Sequence, residues 1–246
     1  GHMRLFTSGS APLLAETHNQ FSARTGQAIL ERYGMTETGM NTSNPYHGER
    51  RAGTVGFPLS GVELRVMGQD GQEVTQGETG MIEVRGPNVF KGYWQMPEKT
   101  AEELRAGGFF ITGDLGRIDA EGYVTIVGRE KDLIISGGYN VYPKEVEQLL
   151  DDQPSVKESA VIGVPHSDFG EAVVAVLVAE GSTLPDLEAI KGNVKAKLAN
   201  YKRPKDYIVL DALPRNTMGK VQKNALRTDY AELFRTLDRS MSRAGE

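Results

Sequence analysis

The sequence contains no cysteine, only four histidines and a single tryptophan. The absence of cysteine excludes disulfide bonds, thiolate metal ligands and a cysteine nucleophile. Four histidines leave little material for a zinc site. No stretch approaches the roughly 20 consecutive apolar residues that a membrane-spanning helix needs, so we expect no membrane partner. The composition therefore excludes chemistry by a cysteine thiol of this chain and gives no sign of a membrane-spanning helix.

The charge balance is mildly acidic, with a formal net charge of −5 and a pI of about 5.5. The basic residues are scattered along the chain, so we expect no nucleic acid partner. With 246 residues the chain is long enough for two compact domains or one large one. Residues 1–3 resemble the remnant of a cleaved expression tag. An apolar stretch follows directly, which suggests a chain cut from a longer protein.

The first part of the chain has the pattern of a parallel sheet. Residues 4–8 read as a short strand, Pro12 opens an amphipathic helix, and residues 28–30 read as a second strand. This strand-helix-strand order is the unit of an α/β domain. We therefore predict that residues 4–57 form the C-terminal part of a large α/β domain.

The middle part changes to strands with tight turns. Val62, Leu64 and Val66 alternate, and Asp70-Gly71 is a strong hairpin signal. Residues 116–128 repeat this pattern. We therefore predict a β-barrel-like subdomain over residues 58–130.

The last part has helical and strand patterns in turn, beginning near residues 129–132. Pro143 suits the first turn of a helix. The pattern predicts strands at 156–164, 172–179 and 207–210 and helices from 143, over 187–198 and over 226–237. We therefore predict a separate α+β domain over residues 131–246.

Two glycine-containing stretches suit phosphate and sugar chemistry. Residues 33–39, Y-G-M-T-E-T-G, combine exposed N–H groups and hydroxyls with Glu37, which could hold Mg²⁺ together with phosphate oxygens. The alternative is an ordinary strand-to-loop turn. In residues 112–114, T-G-D, Asp114 could accept the two hydroxyls of a ribose, or could merely serve the turn.

Two further stretches lie towards the C-terminus. The first consists of residues 128–132, G-R-E-K-D, followed by residues 136–143, S-G-G-Y-N-V-Y-P. The double glycine of the second segment would allow positive φ values or the close approach of a narrow ligand. The alternative is a hinge without a ligand. Residues 214–220, P-R-N-T-M-G-K, place Lys220 in a polar loop, where a lone lysine is usually a solvated charge.

Together these four stretches resemble the AMP-forming acyl-CoA synthetases, in their order and spacing. That family belongs to the adenylate-forming superfamily shared with luciferases and peptide-synthetase adenylation domains. The resemblance covers essentially residues 4–230. It implies a cytoplasmic ATP-dependent acid–CoA ligase that first forms an acyl-adenylate and pyrophosphate and then transfers the acyl group to CoA. ATP, Mg²⁺ and CoA are the implied cofactors and co-substrates.

The resemblance also implies a role for each matching residue. Lys220 would be the catalytic lysine of adenylation and Lys131 the hinge about which the small domain rotates. Thr36 would contact phosphate, Glu37 would bind Mg²⁺, and Asp114 with Arg129 would hold the ribose. The remaining implied contacts are the adenine site, formed by Gly9, Ser10, Ala11, Pro12, Tyr33 and Gly34, and the CoA pantetheine tunnel, flanked by Gly137 and Gly138.

The phosphate loop that the family resemblance leads us to expect is missing from this sequence. Thr7-Ser8-Gly9-Ser10 lacks the lysine that ends the family's phosphate loop, so we expect that loop and most of the acyl pocket to lie outside this chain, which would be inactive alone.

Residues 40–46 are polar, with Arg32, Arg50 and Arg51 nearby, as in the family's malonate-activating members. Malonate or methylmalonate is therefore the expected acid. The alternatives are another short acid, a carrier-protein-loading adenylation domain, or a non-catalytic binding fragment.

Overall fold

The chain divides into two compact units, Gly1–Glu130 and Lys131–Glu246, in the computed structural model. The first unit contains both of the parts that the sequence separates at 57/58. The residues that the structure describes are 3–10, 13–181, 184–217 and 219–234.

The first unit begins with a four-stranded mixed sheet. Its elements are β1 (Thr7–Ser8), α1 (Ala15–Thr25), β2 (Leu30–Met35), β3 (Gly39–Ser43) and β4 (Phe57–Pro58). β1 and β2 are parallel and are connected through α1, which confirms the predicted strand-helix-strand unit. β2 starts and ends later than expected, so Tyr33 and Gly34 lie in a strand and not in a turn. Cross-strand pairing of Tyr33 with Thr42 in β3 overrides the turn preference of the glycine.

The second sheet of this unit is antiparallel and open. Its elements are β5 (Glu63–Met67), β6 (Gly80–Arg85), α2 (Pro97–Glu103), β7 (Phe110–Ile118) and β8 (Val124–Arg129), with the strands in the order β5-β6-β7-β8. Its core contains Ile82, Val84, Phe110 and Val124, all almost completely buried. The β subdomain was expected, but the barrel was not formed, because β5 and β8 are the two edges of the sheet. Asp70-Gly71 forms a local turn in which the Gly68 N–H donates to the Gln72 carbonyl at 2.7 Å.

The segment between β3 and β4 joins the two sheets. The Val55 N–H donates to the Val124 carbonyl at 2.8 Å, and the Val124 N–H donates to the Gly56 carbonyl at 2.8 Å. A Cβ atom at Gly56, whose φ is +75°, would lie 2.1 Å from the Ser43 backbone. This close approach to the first sheet requires glycine, and the backbone hydrogen bonds with Val124 join the same segment to the second sheet.

The second unit is built around one five-stranded sheet. Its elements are β9 (Ile134–Ser136), β10 (Tyr139–Val141), α3 (Pro143–Asp151), β11 (Val156–His166), β12 (Gly170–Ala179), α4 (Leu187–Lys197), β13 (Asp206–Leu210) and α5 (Lys223–Asp229). β10, β9, β12 and β11 follow each other, and β13 pairs in parallel with β12. This arrangement confirms the α+β prediction.

The alternation of side chains along β11 and β12 gives this sheet two buried faces. Val161 and Leu177 pack with α3 and α4 on one face, while Ile162 and Val176 pack with Leu226 of α5 on the other. Helix α5 is shorter than the predicted helix, which was expected to continue to Leu237, a position outside the described residues.

None of the helices in the part of the chain that the structure describes is both long and apolar enough to cross a membrane.

Candidate functional site

A buried carboxylate stands at the centre of the second sheet of the first unit. Thr112, Gly113 and Asp114 lie within β7, and Asp114 pairs in register with Arg129 of β8. The Arg129 Nε lies 2.8 Å from Asp114 Oδ1, and Arg129 Nη1 donates to the Thr112 carbonyl at 3.1 Å. The Tyr33 hydroxyl donates to Asp114 Oδ2 at 2.5 Å. Three predicted site residues from distant parts of the sequence therefore meet here.

The surroundings keep the Tyr33 hydroxyl protonated. Burial raises the pKa of Tyr33 well above its usual range, and the negative charge of Asp114 and the hydrogen bond to it raise the pKa further. Tyr33 is therefore a hydrogen-bond donor at any physiological pH. Asp114 is only 5% exposed. Because each of its carboxylate oxygens accepts from a donor, the carboxylate is held in one orientation.

The turn from β2 to β3 carries the next two predicted residues. Thr36 is exposed and Glu37 is partly buried. The turn is anchored by Asn88, whose Nδ2 donates to the Thr38 carbonyl at 2.7 Å. A Cβ atom at Gly34 would lie 2.0 Å from the Gly39 carbonyl oxygen, so only glycine lets the two strands approach this closely. The sequence motif thus presents Thr36 and Glu37 from a rigid hairpin.

Glu37 takes part in a cluster with a second carboxylate. The Tyr93 hydroxyl lies 3.3 Å from Glu37 Oε1 and 2.5 Å from Glu103 Oε2, and the Lys99 ammonium lies 2.7 Å from Glu103 Oε1. Burial raises the pKa of Tyr93 above its usual range, helped by the hydrogen bond to Glu103 and the charge of Glu37. Tyr93 therefore keeps its one proton and connects the two carboxylates.

The double glycine of the second unit forms the tight turn between β9 and β10. Gly137 and Gly138 have φ values of +57° and +81°, a region that favours glycine, and the Gly137 N–H donates to the Phe169 carbonyl at 2.9 Å. Beside the turn, Tyr139 is 59% exposed and stacks on Tyr201 at 4.7 Å between ring centroids. An exposed aromatic platform thus lies next to the glycines.

Lys220 is exposed in the loop between β13 and α5. Its backbone N–H donates to Asn216 Oδ1 at 2.9 Å, and its carbonyl accepts from the Asn216 N–H at 2.9 Å. The Lys220 side chain has no ion pair among the residues that the structure describes. Lys131, the predicted hinge residue, is exposed and is the first residue of the second unit.

The three candidate arginines differ in what surrounds them. Arg50 donates to three backbone carbonyls, those of Ala28, Pro45 and Tyr46. Arg51 lies 2.9 Å from Asp119 and 3.4 Å from Glu121, and its guanidinium lies 4.1 Å from the centre of the Tyr123 ring. Arg32 is exposed and makes no ion pair among the described residues.

The first predicted adenine-site residues border Arg32. A Cβ atom at Gly9 would lie 3.3 Å from Arg32 Cγ, and Ser10 has a φ of +68°. Ala11 and Pro12 lie outside the described residues.

Comparison with known proteins identifies the family. A family described as AMP-binding enzyme matches residues 1–94, and one described as AMP-binding enzyme C-terminal domain matches residues 145–220. The chain belongs to the AMP-binding enzyme family.

Several members of this family are similar over most of the chain. Malonate–CoA ligase of Arabidopsis thaliana is 42% identical over 236 residues, which are 92% of this chain and 38% of that protein. Sulfoacetate–CoA ligase of Cupriavidus necator is 41% identical over 223 residues, covering 90% and 44%. The crystal structure of ATP-bound MatB from Rhodopseudomonas palustris is 61% identical with a TM-score of 0.91, covering 95% of this chain and 47% of that chain. The chain thus spans less than half the length of these relatives.

The AMP-binding enzyme site offers a limited set of metal ligands. The described residues include no cluster of three or more metal-ligating His, Cys, Asp or Glu side chains. Glu37 Oε1 faces Tyr93, and Oε2 has no hydrogen-bond partner among the described residues. One available carboxylate oxygen fits Mg²⁺, which binds few protein ligands and completes its shell with water and phosphate oxygens. It would not suffice for a metal held by protein ligands alone.

Sequence reasoning missed several residues of this site. Tyr93 and Glu103 approach Glu37 from 56 and 66 positions away, and Tyr201 stacks on Tyr139 across 62 positions. No local spacing connects such pairs. The only available signal was the aromatic residue directly after the double glycine, which marks Tyr139.

Proposed function

We propose that this chain is the C-terminal half of an ATP-dependent acid–CoA ligase of the AMP-binding enzyme family. The observation that carries the proposal is the buried Asp114, oriented by Tyr33 and Arg129 in the same unit as Glu37. Each carboxylate oxygen can accept more than one hydrogen bond, so Asp114 can still receive the hydroxyls of a ribose. We further propose that the ligase acts in the cytoplasm, where ATP and CoA are available.

The first half-reaction joins the acid to the nucleotide. A carboxylate oxygen of the acid attacks the α-phosphorus of ATP, the bond to the β-phosphate oxygen breaks, and pyrophosphate leaves. Asp114 holds the ribose, Thr36 contacts phosphate, and Lys220 supplies a cation that offsets the charge of the two anions as they meet. Glu37 would hold Mg²⁺, which would supply charge neutralisation of the phosphates.

The second half-reaction transfers the acyl group to a thiol. The thiolate of CoA attacks the acyl carbonyl carbon, and the bond to the phosphate oxygen breaks, which gives the thioester and AMP. The Gly137-Gly138 turn allows a narrow pantetheine arm to approach the backbone. The Tyr139–Tyr201 pair supplies an exposed ring face that suits the planar base of CoA. Movement of the second unit about Lys131 would withdraw Lys220 between the two steps.

We propose malonate or methylmalonate as the acid, with Arg32 as the partner of its second carboxylate. Arg50 and Arg51 are already engaged by carbonyl and carboxylate oxygens, whereas Arg32 is available beside Gly9. Overall identity does not decide the acid, because feruloyl-CoA synthase of Streptomyces sp is 42% identical, as is the malonate–CoA ligase of Arabidopsis thaliana. The assignment therefore depends on the arginine.

The test compares this chain alone with the full-length ligase, in which the chain follows the N-terminal half of the fold. We expect malonate-dependent exchange of pyrophosphate into ATP, and CoA-dependent AMP formation, by the full-length ligase. We expect neither activity from the chain alone, because Thr7–Ser10 lacks the lysine of a phosphate loop. A full-length protein without acid-dependent exchange would refute the ligase assignment. Exchange by the chain alone would refute the inferred need for the N-terminal half.

A further inference from the structure

The loop that carries Lys220 is fixed at both ends. Leu213 is 5% exposed in the core of the second unit, and Val221 packs against the same core. Arg215 and Val221 form an isolated antiparallel bridge, and the Gln222 N–H donates to the Pro214 carbonyl at 2.8 Å. The base of the loop is therefore well anchored, and the position of Lys220 depends on the tip.

The tip is held by short-range hydrogen bonds around Asn216. The Gly219 N–H donates to the Asn216 carbonyl at 2.9 Å, and Gly219 has a φ of +80°. These bonds, with the two between Asn216 and Lys220, define the shape of the turn. All of them lie within the loop, so none of them fixes the turn against the sheet.

Arg215 provides a connection from the tip to the sheet. Its Nη1 donates to the Gly219 carbonyl at 2.5 Å, on the peptide unit directly before Lys220, and its Nη2 forms an ion pair with Glu158 of β11. β11 pairs with β12 along ten positions, so Glu158 stands on a rigid element. The planar guanidinium binds both oxygens at once, which a flexible ammonium group would do poorly.

We propose that Arg215 and Glu158 are positioning residues that set the place of Lys220 for adenylation. The proposal rests on the proposed function of Lys220. A lysine side chain is flexible, so the orientation of its backbone decides which volume the ammonium group can reach, and small displacements of a reacting or stabilising group are costly. The side chains of Arg215 and Glu158 are 42% and 27% exposed, so their pair should contribute little to global stability. Its removal should change the loop without unfolding the unit.

The experiment uses the full-length ligase and four single variants. Arg215→Gln and Glu158→Gln remove the ion pair with little change in shape, Lys220→Ala removes the cation, and Glu188→Gln is the control. Glu188 forms an exposed ion pair with Lys191 at 2.8 Å on α4, away from the loop. We expect Arg215→Gln and Glu158→Gln each to lower kcat for pyrophosphate exchange roughly 10-fold. We expect the KM for ATP, thiol transfer from supplied acyl-adenylate, the melting temperature and the control variant to be unchanged.

A double variant decides whether Arg215 and Glu158 act through Lys220. We expect Lys220→Ala with Glu158→Gln to be no slower than Lys220→Ala alone, because a lysine that is absent cannot be misplaced. Additive losses, unchanged exchange in Arg215→Gln, or equal losses in both half-reactions would overturn the positioning role. If Lys220→Ala alone leaves exchange intact, the assigned function of Lys220 is wrong, and that result is separable from a failure confined to Arg215 and Glu158.

Discussion

Replacing Tyr33 with phenylalanine removes one hydroxyl and keeps the ring. In the structure that hydroxyl donates to Asp114 at 2.5 Å inside the first unit. Hydrogen bonds to charged groups contribute about 1.5–3 kcal/mol to stability. Asp114 keeps its contact with Arg129 in the variant, so we expect the lower part of that range. The free energy of unfolding of the first unit should fall by about 1.5–2 kcal/mol.

The same hydroxyl should make stability depend on pH. The pKa of Tyr33 is raised above its unfolded value of 10.0 by burial and then by Asp114, so the folded state keeps the proton longer than the unfolded chain does. Its contribution is therefore complete below pH 10 and is lost as the pH rises above that value. Above pH 10 the stability of the wild type should fall more steeply than that of Tyr33→Phe, by up to about 1.4 kcal/mol per pH unit.

Urea titrations between pH 7 and 10.5 test both expectations. The control is Tyr46→Phe, which removes a hydroxyl from a ring that is 54% exposed. We expect the control to have the stability of the wild type at every pH. If Tyr33→Phe and Tyr46→Phe behave alike at pH 7, the Tyr33–Asp114 bond contributes no net stability and our account of the buried site is wrong. Parallel pH curves for the wild type and Tyr33→Phe would refute the explanation through the raised pKa.

Three further predictions concern the acid, the hinge and a partly buried carboxyl of the second unit. In the full-length ligase, Arg32→Met should lower kcat/KM for malonate by at least roughly 100-fold and leave kcat/KM for butyrate little changed. The lost charged hydrogen bond affects only the dicarboxylate. Equal losses for both acids would contradict this. Lys131→Pro should slow thiol transfer more than pyrophosphate exchange, because proline fixes φ near −65° and obstructs a hinge; the two half-reactions, measured separately, decide it. Burial raises the pKa of Asp151 to about 6, so its contribution to stability is complete below pH 3.8 and is lost as the pH rises through about 6. Relative to the wild type, Asp151→Asn should therefore gain stability between pH 4 and 7 in urea titrations, and a constant difference would refute this.

Local patterns predicted the elements whose formation depends on local chemistry. The apolar runs at 156–164 and 172–179 correspond to β11 and β12, and Pro143 is the first residue of α3. Tyr33 and Gly34 were misplaced because a glycine in a strand looks like a turn until its neighbour strand is known. The barrel was wrong because closure depends on which distant strand edges pair, and that information is not local.

In the candidate site too, local motifs predicted some features, whereas others depend on contacts between distant parts of the chain. The motifs singled out Tyr33, Asp114 and Arg129, and the structure brings the Tyr33 hydroxyl and the Arg129 guanidinium within hydrogen-bonding distance of Asp114. The sequence left three arginines equivalent, although Arg51 is engaged by Asp119 across 68 positions. Such long-range ion pairs decide which charged side chain is available, and they follow from the fold alone.

The segment that joins the two sheets of the first unit limits how family members can recombine. A crossover between relatives within residues 56–62 would take Arg51 and Val55 from one parent and their contacts Asp119 and Val124 from the other. The backbone bond between Val55 and Val124 survives any change of side chain, whereas the ion pair survives only if both parents carry the same charges. Gly56 must also be retained, since a side chain there would meet the Ser43 backbone at 2.1 Å. Gene exchange should therefore transmit residues 30–129 as one block, and this block contains both the proposed acid partner Arg32 and the proposed ribose-binding residue Asp114.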